Sequence, residues 1–425
     1  MAKILRIAVV APPPTIEVAV DFYDGIHRQA LLQSAASSVM QSANLPGNLT
    51  IATADLLAYY LFYKKRPGTR GYSSYGEVSS KCHHALIELD GLVDFRNGSL
   101  GVVSSAGMNT GTSERLGEAI GLAVISKLHN LVDADWAKIE ETNKRKTLDF
   151  EYAASDGKLL IRTEAKGSAT TNNGIKCSSV SHHKSSVEQK KVAERNATGG
   201  QSSAILYGTI AVLDDRQNSL AQCWLLDPLL NLETSPGQFR VISRLSSIAD
   251  LLSFISPRSA ITIALQNRVK ALKSIGNIGE LDKAFLVKGD GEEFDSRSLN
   301  GFGERNPWFW NKSYVIDGPA GGQVLLLSDS SVLFIGILEE LLLLAMGQSF
   351  SRVSEFRYTA GSVKKTVRCV VPVGRFQREF SSALDGRIRV NQQGGYTSFD
   401  LGGNLHYSSG GLVFGILPIE EQIGV

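Results

Sequence analysis

Three charged residues near the middle of the chain have the types and spacing to do chemistry: Asp149, Glu164 and Lys166. They flank the dipeptide Asp156-Gly157, which favours the positive φ values of a tight hairpin turn. The runs on either side alternate apolar and polar residues, as half-buried strands do. A two-residue turn at this dipeptide places Asp149 opposite Glu164, with both side chains on the same face of the hairpin as Lys166.

Two carboxylates at directly opposed positions repel each other, because their Cβ atoms are only about 4.5–5.5 Å apart. A divalent cation removes the conflict, and Mg²⁺ or Mn²⁺ with oxygen ligands is the natural choice. Lys166, two residues after Glu164, would hold its ammonium group near a metal-bound water and a phosphate. This set therefore predicts metal-assisted hydrolysis of a phosphodiester, with Lys166 either orienting the water or stabilising the anion.

The elements around the hairpin predict an α/β unit. Residues 112–129 predict a helix with a Thr/Ser cap and an acidic first turn, apolar nearly all round. Glu114 and Glu118 share a face of this helix, and either could supply a third carboxylate. Downstream, residues 185–195 predict a second helix and residues 204–213 a closing strand.

An acidic helix, Asp149, the triplet Glu164-Ala-Lys166 and a later helix with Gln189 together resemble the PD-(D/E)xK superfamily of restriction-endonuclease-like nucleases. The resemblance covers residues 101–225. Similarity to poorly characterised bacterial members, suspected of roles in defence against foreign DNA, lies in Gly117-Glu-Ala-Ile-Gly-Leu, Ala134-Asp-Trp-Ala-Lys-Ile, Leu148-Asp-Phe-Glu and Glu164-Ala-Lys-Gly-Ser168. Leu148 stands where the family pattern often has proline.

The resemblance implies a core of the order helix, strand, strand, strand, helix, strand, and a Mg²⁺- or Mn²⁺-dependent DNA endonuclease. The implied catalytic residues are Asp149, Glu164, Lys166, Glu118 and Gln189. The implied metal ligands are Asp149, Glu164, the Ala165 carbonyl and Glu118, with Glu114 the alternative helix carboxylate. DNA is the expected partner. A homodimer is favoured because duplex cutting usually needs two sites, and a partner protein from the same system is left open.

Basic residues beside the expected site are predicted to bind the DNA backbone. They are Lys144, Arg145, Lys146, Lys190 and Lys191. The pair His182-His183 lies near Cys177, but no zinc-ligand spacing such as CxxC or HxxxH accompanies it. We therefore do not expect a zinc site there.

The domain organisation is expected to be an N-terminal α/β region over residues 1–100, the nuclease core over 101–225 and a mixed, β-rich region over 226–425. Within these, residues 18–41 and 52–63 predict helical runs, and the polar residues 168–186 are expected to form a mobile loop. The apolar residues 332–346 predict a buried helix, too short to span a bilayer.

Composition limits the alternatives. The chain has 425 residues, with Lys+Arg 44 against Asp+Glu 42, so neither a disordered chain nor a global polycation is expected. Its four cysteines form no CxxC pair, which favours a reducing, cytoplasmic location without membrane contact. Two other functions remain open: a catalytically inactive nucleic-acid-binding or regulatory subunit with a nuclease-like fold, and a structural protein that assembles through its glycine-rich β end.

Overall fold

The computed structural model of the chain divides into two compact units. It describes residues 12–33, 37–63, 74–96, 98–139, 150–153, 160–197, 204–216, 219–226, 236–257, 260–274, 313–347, 349–384 and 386–419. The mixed-sheet unit comprises Pro13–Lys64 and Glu88–Ser243, and the barrel unit comprises Met1–Pro12, Lys65–Ile87 and Arg244–Val425. The division differs from the expected one, because residues 13–64 belong to the same unit as the expected nuclease core.

In the part of the chain that the structure describes, the mixed-sheet unit is built on a nine-stranded sheet. Its strands are β1 (Thr15–Phe22), β2 (Gly47–Ala52), β3 (Val93–Arg96), β4 (Ser99–Val102), β5 (Ala137–Lys138), β6 (Phe150–Ala153), β7 (Leu160–Thr170), β8 (Ala204–Asp214) and β9 (Ala221–Leu226). They lie in the order β3-β4-β1-β9-β8-β7-β6-β5, and β2 also pairs with β1. Neighbours run both parallel and antiparallel, so the expected α/β class is confirmed.

The helices of this part of the chain are α1 (Gly25–Gln33), α2 (Ser37–Ser42), α3 (Thr53–Phe62), α4 (Tyr75–Leu92), α5 (Thr110–His129), α6 (Ser178–Ala197) and α7 (Pro236–Ile255). From α5 to β8 the order is helix, three strands, helix, strand. The predicted hairpin register is confirmed over the described part of β6, because Glu151 faces Arg162 and Phe150 faces Thr163. Strands β7 and β8 are parallel, and α6 connects them.

Helix α5 packs directly on β7. The Asn109 side chain caps its first turn by accepting a hydrogen bond of 2.8 Å from the Thr112 backbone N–H. Glycines then permit a close approach: a Cβ added at Gly121 would lie 3.1 Å from the Ala165 Cβ, and one added at Gly167 would lie 2.8 Å from the Gly117 Cα. The side of β7 that carries Ala165 therefore faces α5.

The described residues of the barrel unit form seven strands: β10 (Ser313–Val315), β11 (Ala320–Ser328), β12 (Ser331–Leu338), β13 (Gly361–Pro372), β14 (Asn391–Gln393), β15 (Tyr396–Tyr407) and β16 (Leu412–Pro418). Its further helices are α8 (Ala260–Ser274), α9 (Glu339–Met346), α10 (Phe350–Glu355), α11 (Val373–Glu379) and α12 (Ser381–Leu384). Six of the strands close into a barrel in the order β13-β10-β11-β12-β16-β15, because β15 also pairs with β13. Closure gives each of these six strands two neighbours within the barrel, and β14 pairs with β15 in addition.

Three local predictions were wrong in whole or in part. Residues 332–346 form the buried strand β12 followed by α9 rather than one helix, since a short apolar run fits either element and this one pairs on both edges. Residues 18–41 are helical in α1 and α2, but they begin in β1, whose alternate residues are buried. Residues 168–186 are not a loop throughout: Ser168 lies in β7 and α6 begins at Ser178. None of the helices in the described part of the chain has the length and apolar character needed to cross a bilayer.

A buried histidine makes the stability of the barrel unit depend on pH. His406 in β15 is 4% exposed, and its Nδ1 is hydrogen-bonded to the Ser362 Oγ at 2.6 Å. Burial lowers the pKa of His406 to about 4. The unfolded histidine has a pKa of about 6.5. The contribution of the neutral, buried imidazole to the free energy of unfolding is therefore fully present above pH 6.5. It is lost as the pH falls towards 4, a total of about 3 kcal/mol.

We expect His406→Gln to remove this part of the pH dependence. Urea unfolding at pH 7 and pH 4.5 measures it, as the difference in unfolding free energy between the two conditions. The exposed His84 provides the matched control, since His84→Gln should keep the full difference. An equal pH dependence in His406→Gln and the unmodified chain would contradict the assignment.

Candidate functional site

The candidate site lies on the face of β7 opposite to α5. Strand β7 pairs with β8 in continuous register from Leu160 to Thr170, so its side chains alternate without interruption. Since Ala165 faces α5, its neighbours Glu164 and Lys166 face the other way, towards α6. The sequence-predicted pairing of these two residues on one face of a strand is confirmed.

Glu164 is completely buried and contacts two ammonium groups. Its Oε1 lies 2.6 Å from the Nζ of Lys166 and 2.7 Å from the Nζ of Lys190. The two lysine side chains are 20% and 21% exposed, whereas that of Glu164 is 0% exposed. Burying a carboxylate is costly unless it is paired, and the two lysines offset that cost.

Helix α6 forms the cover of this site. The Ser179 Oγ, in its first turn, lies 2.8 Å from the Ser168 Oγ on β7. Further along, Val187 packs on Gly208 of β8, where an added Cβ would lie 2.5 Å from the Val187 Cγ1. Gly208 is the register partner of Glu164. The helix therefore runs back along the strands, and Lys190 reaches the carboxylate about one turn after Val187.

A histidine of α6, His183, lies near Lys166. Burial lowers the pKa of His183, and the positive charge of Lys166 lowers it further, while a hydrogen bond with the Gly167 backbone raises it. His183 and the contact of Lys190 with Glu164 were not predicted. Their spacing carried a signal, because residues 183, 187 and 190 fall on one face of a helix.

The two helix carboxylates lie on the other side of the strand. Glu118 is 6% exposed, and it belongs to α5, which packs on the Ala165 side of β7. Strand β7 thus separates the helix that carries Glu118 from the side chain of Glu164. The expected role of Glu118, as a ligand at a second metal or through a water, stays a prediction. Glu114, one turn earlier on α5, is half-buried on the same side.

Two further predicted site residues on α6, Gln189 and Lys191, do not point in the same direction as Lys190. Gln189 is exposed, and it points about 100° around α6 from Lys190, which is the residue that contacts Glu164. Lys191 is 3% exposed, so as folded it is not presented to a DNA backbone. Lys190 instead holds a position inside the site.

Several predicted site residues lie outside the described part of the chain. They are Asp149, Lys144, Arg145 and Lys146. The confirmed register ends at Phe150, so the placement of Asp149 opposite Glu164 stays a prediction. Ala165 lies in β7 as the register partner of Thr209, and the role of its carbonyl as a ligand stays a prediction as well.

Lys184 on α6 is held in a separate group of charges. Its Nζ lies 3.5 Å from the Asp24 Oδ2 and 3.6 Å from the Glu188 Oε1. It carries the same charge as Lys190 and lies on the same helix. Lys184 therefore offers a matched control for substitutions at the lysines around Glu164.

The described residues around Glu164 do not by themselves form a metal site. Within the described ranges, no three His, Cys, Asp or Glu side chains group together as ligands. Glu164 contacts two ammonium groups, and their positive charges oppose a divalent cation. Mg²⁺ commonly binds through one or two carboxylates, and Asp149, the second carboxylate of the predicted pair, lies outside the described residues.

Comparison with known proteins finds no matching family model, no matching curated protein and no matching solved structure. The function has to be inferred from the chemistry of the site.

Proposed function

We propose that the protein is a metal-dependent nuclease that hydrolyses DNA phosphodiester bonds. The observation that carries the proposal is the buried Glu164 with Lys166 two residues along the same face of β7, the Oε1 and Nζ atoms 2.6 Å apart. A buried carboxylate and a partly exposed ammonium group on one strand face can hold a cation and a phosphate next to each other.

The order of elements supports the same function. From α5 to β8 the chain runs helix, three strands, helix, strand, with β7 and β8 parallel and β6 antiparallel to β7. This is the order that the resemblance to PD-(D/E)xK nucleases implies. A role in defence against foreign DNA rests on that resemblance alone.

Glu164 and Asp149 would hold Mg²⁺ or Mn²⁺ in this proposal. The metal, when bound, lowers the pKa of a water and neutralises charge on the phosphate. Glu164 is suited to this task because its position on a central strand, between β6 and β8, fixes the carboxylate. The second carboxylate is proposed from the hairpin register and not from a described contact.

Lys166 supplies the other half of the chemistry. Its side chain is 20% exposed, so its ammonium group borders solvent while remaining beside Glu164. It can donate a hydrogen bond to an attacking water or to a phosphate oxygen as negative charge develops there. A positioned donor of this kind stabilises the transition state more than the substrate.

A second candidate function is a catalytically inactive nucleic-acid-binding or regulatory subunit. The observation that favours it is the complete burial of Glu164 beside two ammonium groups, which balance the charge of the carboxylate without any metal.

The proposed nuclease is expected to act as a homodimer, because cutting both strands of a duplex needs two sites.

Cleavage assays distinguish the two functions. The full chain, incubated with plasmid, linear duplex and single-stranded DNA, should cleave at least one of them with Mg²⁺ or Mn²⁺ and stop when EDTA removes the metal. Asp149→Ala should lower cleavage at least about 100-fold, because it removes a ligand carboxylate. DNA binding without cleavage would favour the inactive subunit, and cleavage that survives EDTA or Asp149→Ala would contradict the mechanism.

A further inference from the structure

The outer face of the barrel at β13 and β15 is polar and basic. The two strands pair antiparallel along their whole length, and over Val367–Val371 and Thr397–Leu401 the odd-numbered side chains are buried. The even-numbered residues therefore point out of the barrel. They include Lys364 and Arg368, whereas Asp400 is the only carboxylate in the sequences of β13, β14 and β15. Two cations against one carboxylate give this face a net positive charge.

Arg368 is held in a fixed orientation at this surface. Its guanidinium group donates two hydrogen bonds of 2.7 Å to the two carboxylate oxygens of Asp400, and Tyr314 of β10 hydrogen-bonds to the same side chain. A guanidinium group has five N–H donors, so these contacts leave donors for a further anion. The Arg368 side chain is 44% exposed. An oriented, accessible guanidinium group is well suited to bind a phosphate.

Gly402 leaves an open gap between the two cations. It pairs with Thr366, which lies halfway between Lys364 and Arg368 on the outer side of β13. Gly402 and Thr366 are both exposed, and a Cβ added at Gly402 would meet no described atom within 4 Å beyond its chain neighbours. The two cations are four residues apart on one strand, which corresponds to about 13 Å. An extended polyanion can therefore lie along β13 and contact both.

The neighbouring positions on β15 carry groups that suit unpaired bases. Asn404 lies opposite Lys364, and its amide both donates and accepts hydrogen bonds. Ser398 and Tyr396 follow on the same face towards β14, and both are half-buried. Polar groups bind the edges of splayed bases, and aromatic rings stack on their faces. These edges and faces are fully accessible only in a single strand.

We propose that the outer face of β13 and β15 binds single-stranded DNA. Charge complementarity carries the inference, because phosphates match a face with two cations and one carboxylate that is already paired. A second copy of the chain is a poorer occupant, since self-pairing of this face would bring like charges together. The choice of DNA rests on the proposed function. The surface itself belongs to the barrel unit and involves none of the residues around Glu164.

Substitutions at Gly402 test the inference, because the open gap can accept a side chain of either charge. The full chain is titrated into a short, labelled single-stranded DNA in the presence of EDTA, and fluorescence anisotropy gives the dissociation constant without cleavage. Gly402→Glu should weaken binding about 10-fold or more, and Gly402→Lys should tighten it about 3-fold or more. Damage to the fold would weaken binding in both variants, so opposite shifts report the charge.

Lys364 provides a second measurement with a matched control. Lys364→Gln should weaken binding about 3- to 10-fold and reduce the slope of log affinity against log salt concentration by about 0.7, the value for one phosphate contact on a single strand. Lys365→Gln removes the same charge from the next residue, whose side chain alternates to the other side of β13. It should leave the dissociation constant within about twofold of the unmodified chain.

Two results would overturn the surface. One is a pair of Gly402 variants that shift the dissociation constant in the same direction or not at all. The other is a larger effect of these variants on duplex DNA, or on RNA of the same sequence, than on the single DNA strand. Cleavage with Mg²⁺ or Mn²⁺ judges the nuclease separately: a chain that cleaves DNA but responds to neither variant loses only this surface, and one that shows the opposite shifts but never cleaves loses only the nuclease.

Discussion

Replacing Lys166 with alanine should lower the rate of Mg²⁺-dependent DNA cleavage by about 10²- to 10³-fold. The variant loses the ammonium group that lies 2.6 Å from the Glu164 Oε1 and borders solvent. The loss should appear mainly in the rate of the chemical step, since the group acts on charge that develops in the transition state. Single-turnover cleavage of a labelled duplex measures that rate directly.

Lys184→Ala is the control for this prediction, because Lys184 is paired with Asp24 and Glu188 and not with Glu164. It should cleave within about twofold of the unmodified chain. A Lys166→Ala variant that cleaves within tenfold of the unmodified chain would remove Lys166 from the mechanism. Circular dichroism of both variants shows whether the fold is retained.

Glu164→Gln should destabilise the mixed-sheet unit by about 3 kcal/mol as well as abolish cleavage. The substitution keeps the size of the side chain but removes the charge that two ammonium groups contact, and breaking a buried ion pair from one side costs about 3–5 kcal/mol. The lower end of that range is expected, because both lysine side chains keep about a fifth of their surface in water. Urea unfolding measures the loss.

A double-mutant cycle separates this charge effect from a general loss of packing. Lys190→Gln in the Glu164→Gln background removes one of the two ammonium groups that then lie beside a neutral side chain, so it should restore about 1 kcal/mol or more. If the two substitutions are simply additive, the pair between Glu164 and Lys190 contributes nothing to stability.

The hairpin was predictable because its signals are local. The Asp-Gly dipeptide and the alternating residues predict one register for β6 against β7. The described pairs, Phe150 with Thr163 and Glu151 with Arg162, belong to the same register as the predicted opposition of Asp149 and Glu164. The same pattern placed Glu164 and Lys166 on one strand face. No information from distant parts of the chain was needed for either result.

The surroundings of Glu164 depend on tertiary structure and could not be predicted in the same way. Whether α5 or α6 faces the carboxylate is decided by which side of β7 the glycine contact at Gly167 occupies. Because α5 packs on the Gly167 side of β7, the helix of Glu118 lies on the side opposite to the Glu164 carboxylate. Helix α6 covers the carboxylate, and its Lys190 contacts it. A helix pattern shows which residues share a face, but not which face of a sheet the helix covers.

The apolar residues 332–346 show a second limit. A continuous apolar run is compatible with a buried helix or a central strand, and only the pairing of β12 with β11 and β16 decides between them. The unit boundaries were missed for a related reason, since both units combine segments that are far apart in the chain.

The pairing of β1 with β9 has a consequence for the way this protein is made. Val18 pairs with Ala221 in parallel, so β1 can gain this neighbour only after the ribosome has added about 200 further residues. Parallel pairing between distant segments forms slowly, because loop closure must precede the contacts that reward it. Until β9 emerges, one side of β1 remains an open strand edge on the nascent chain, exposed to mispairing and to chaperones.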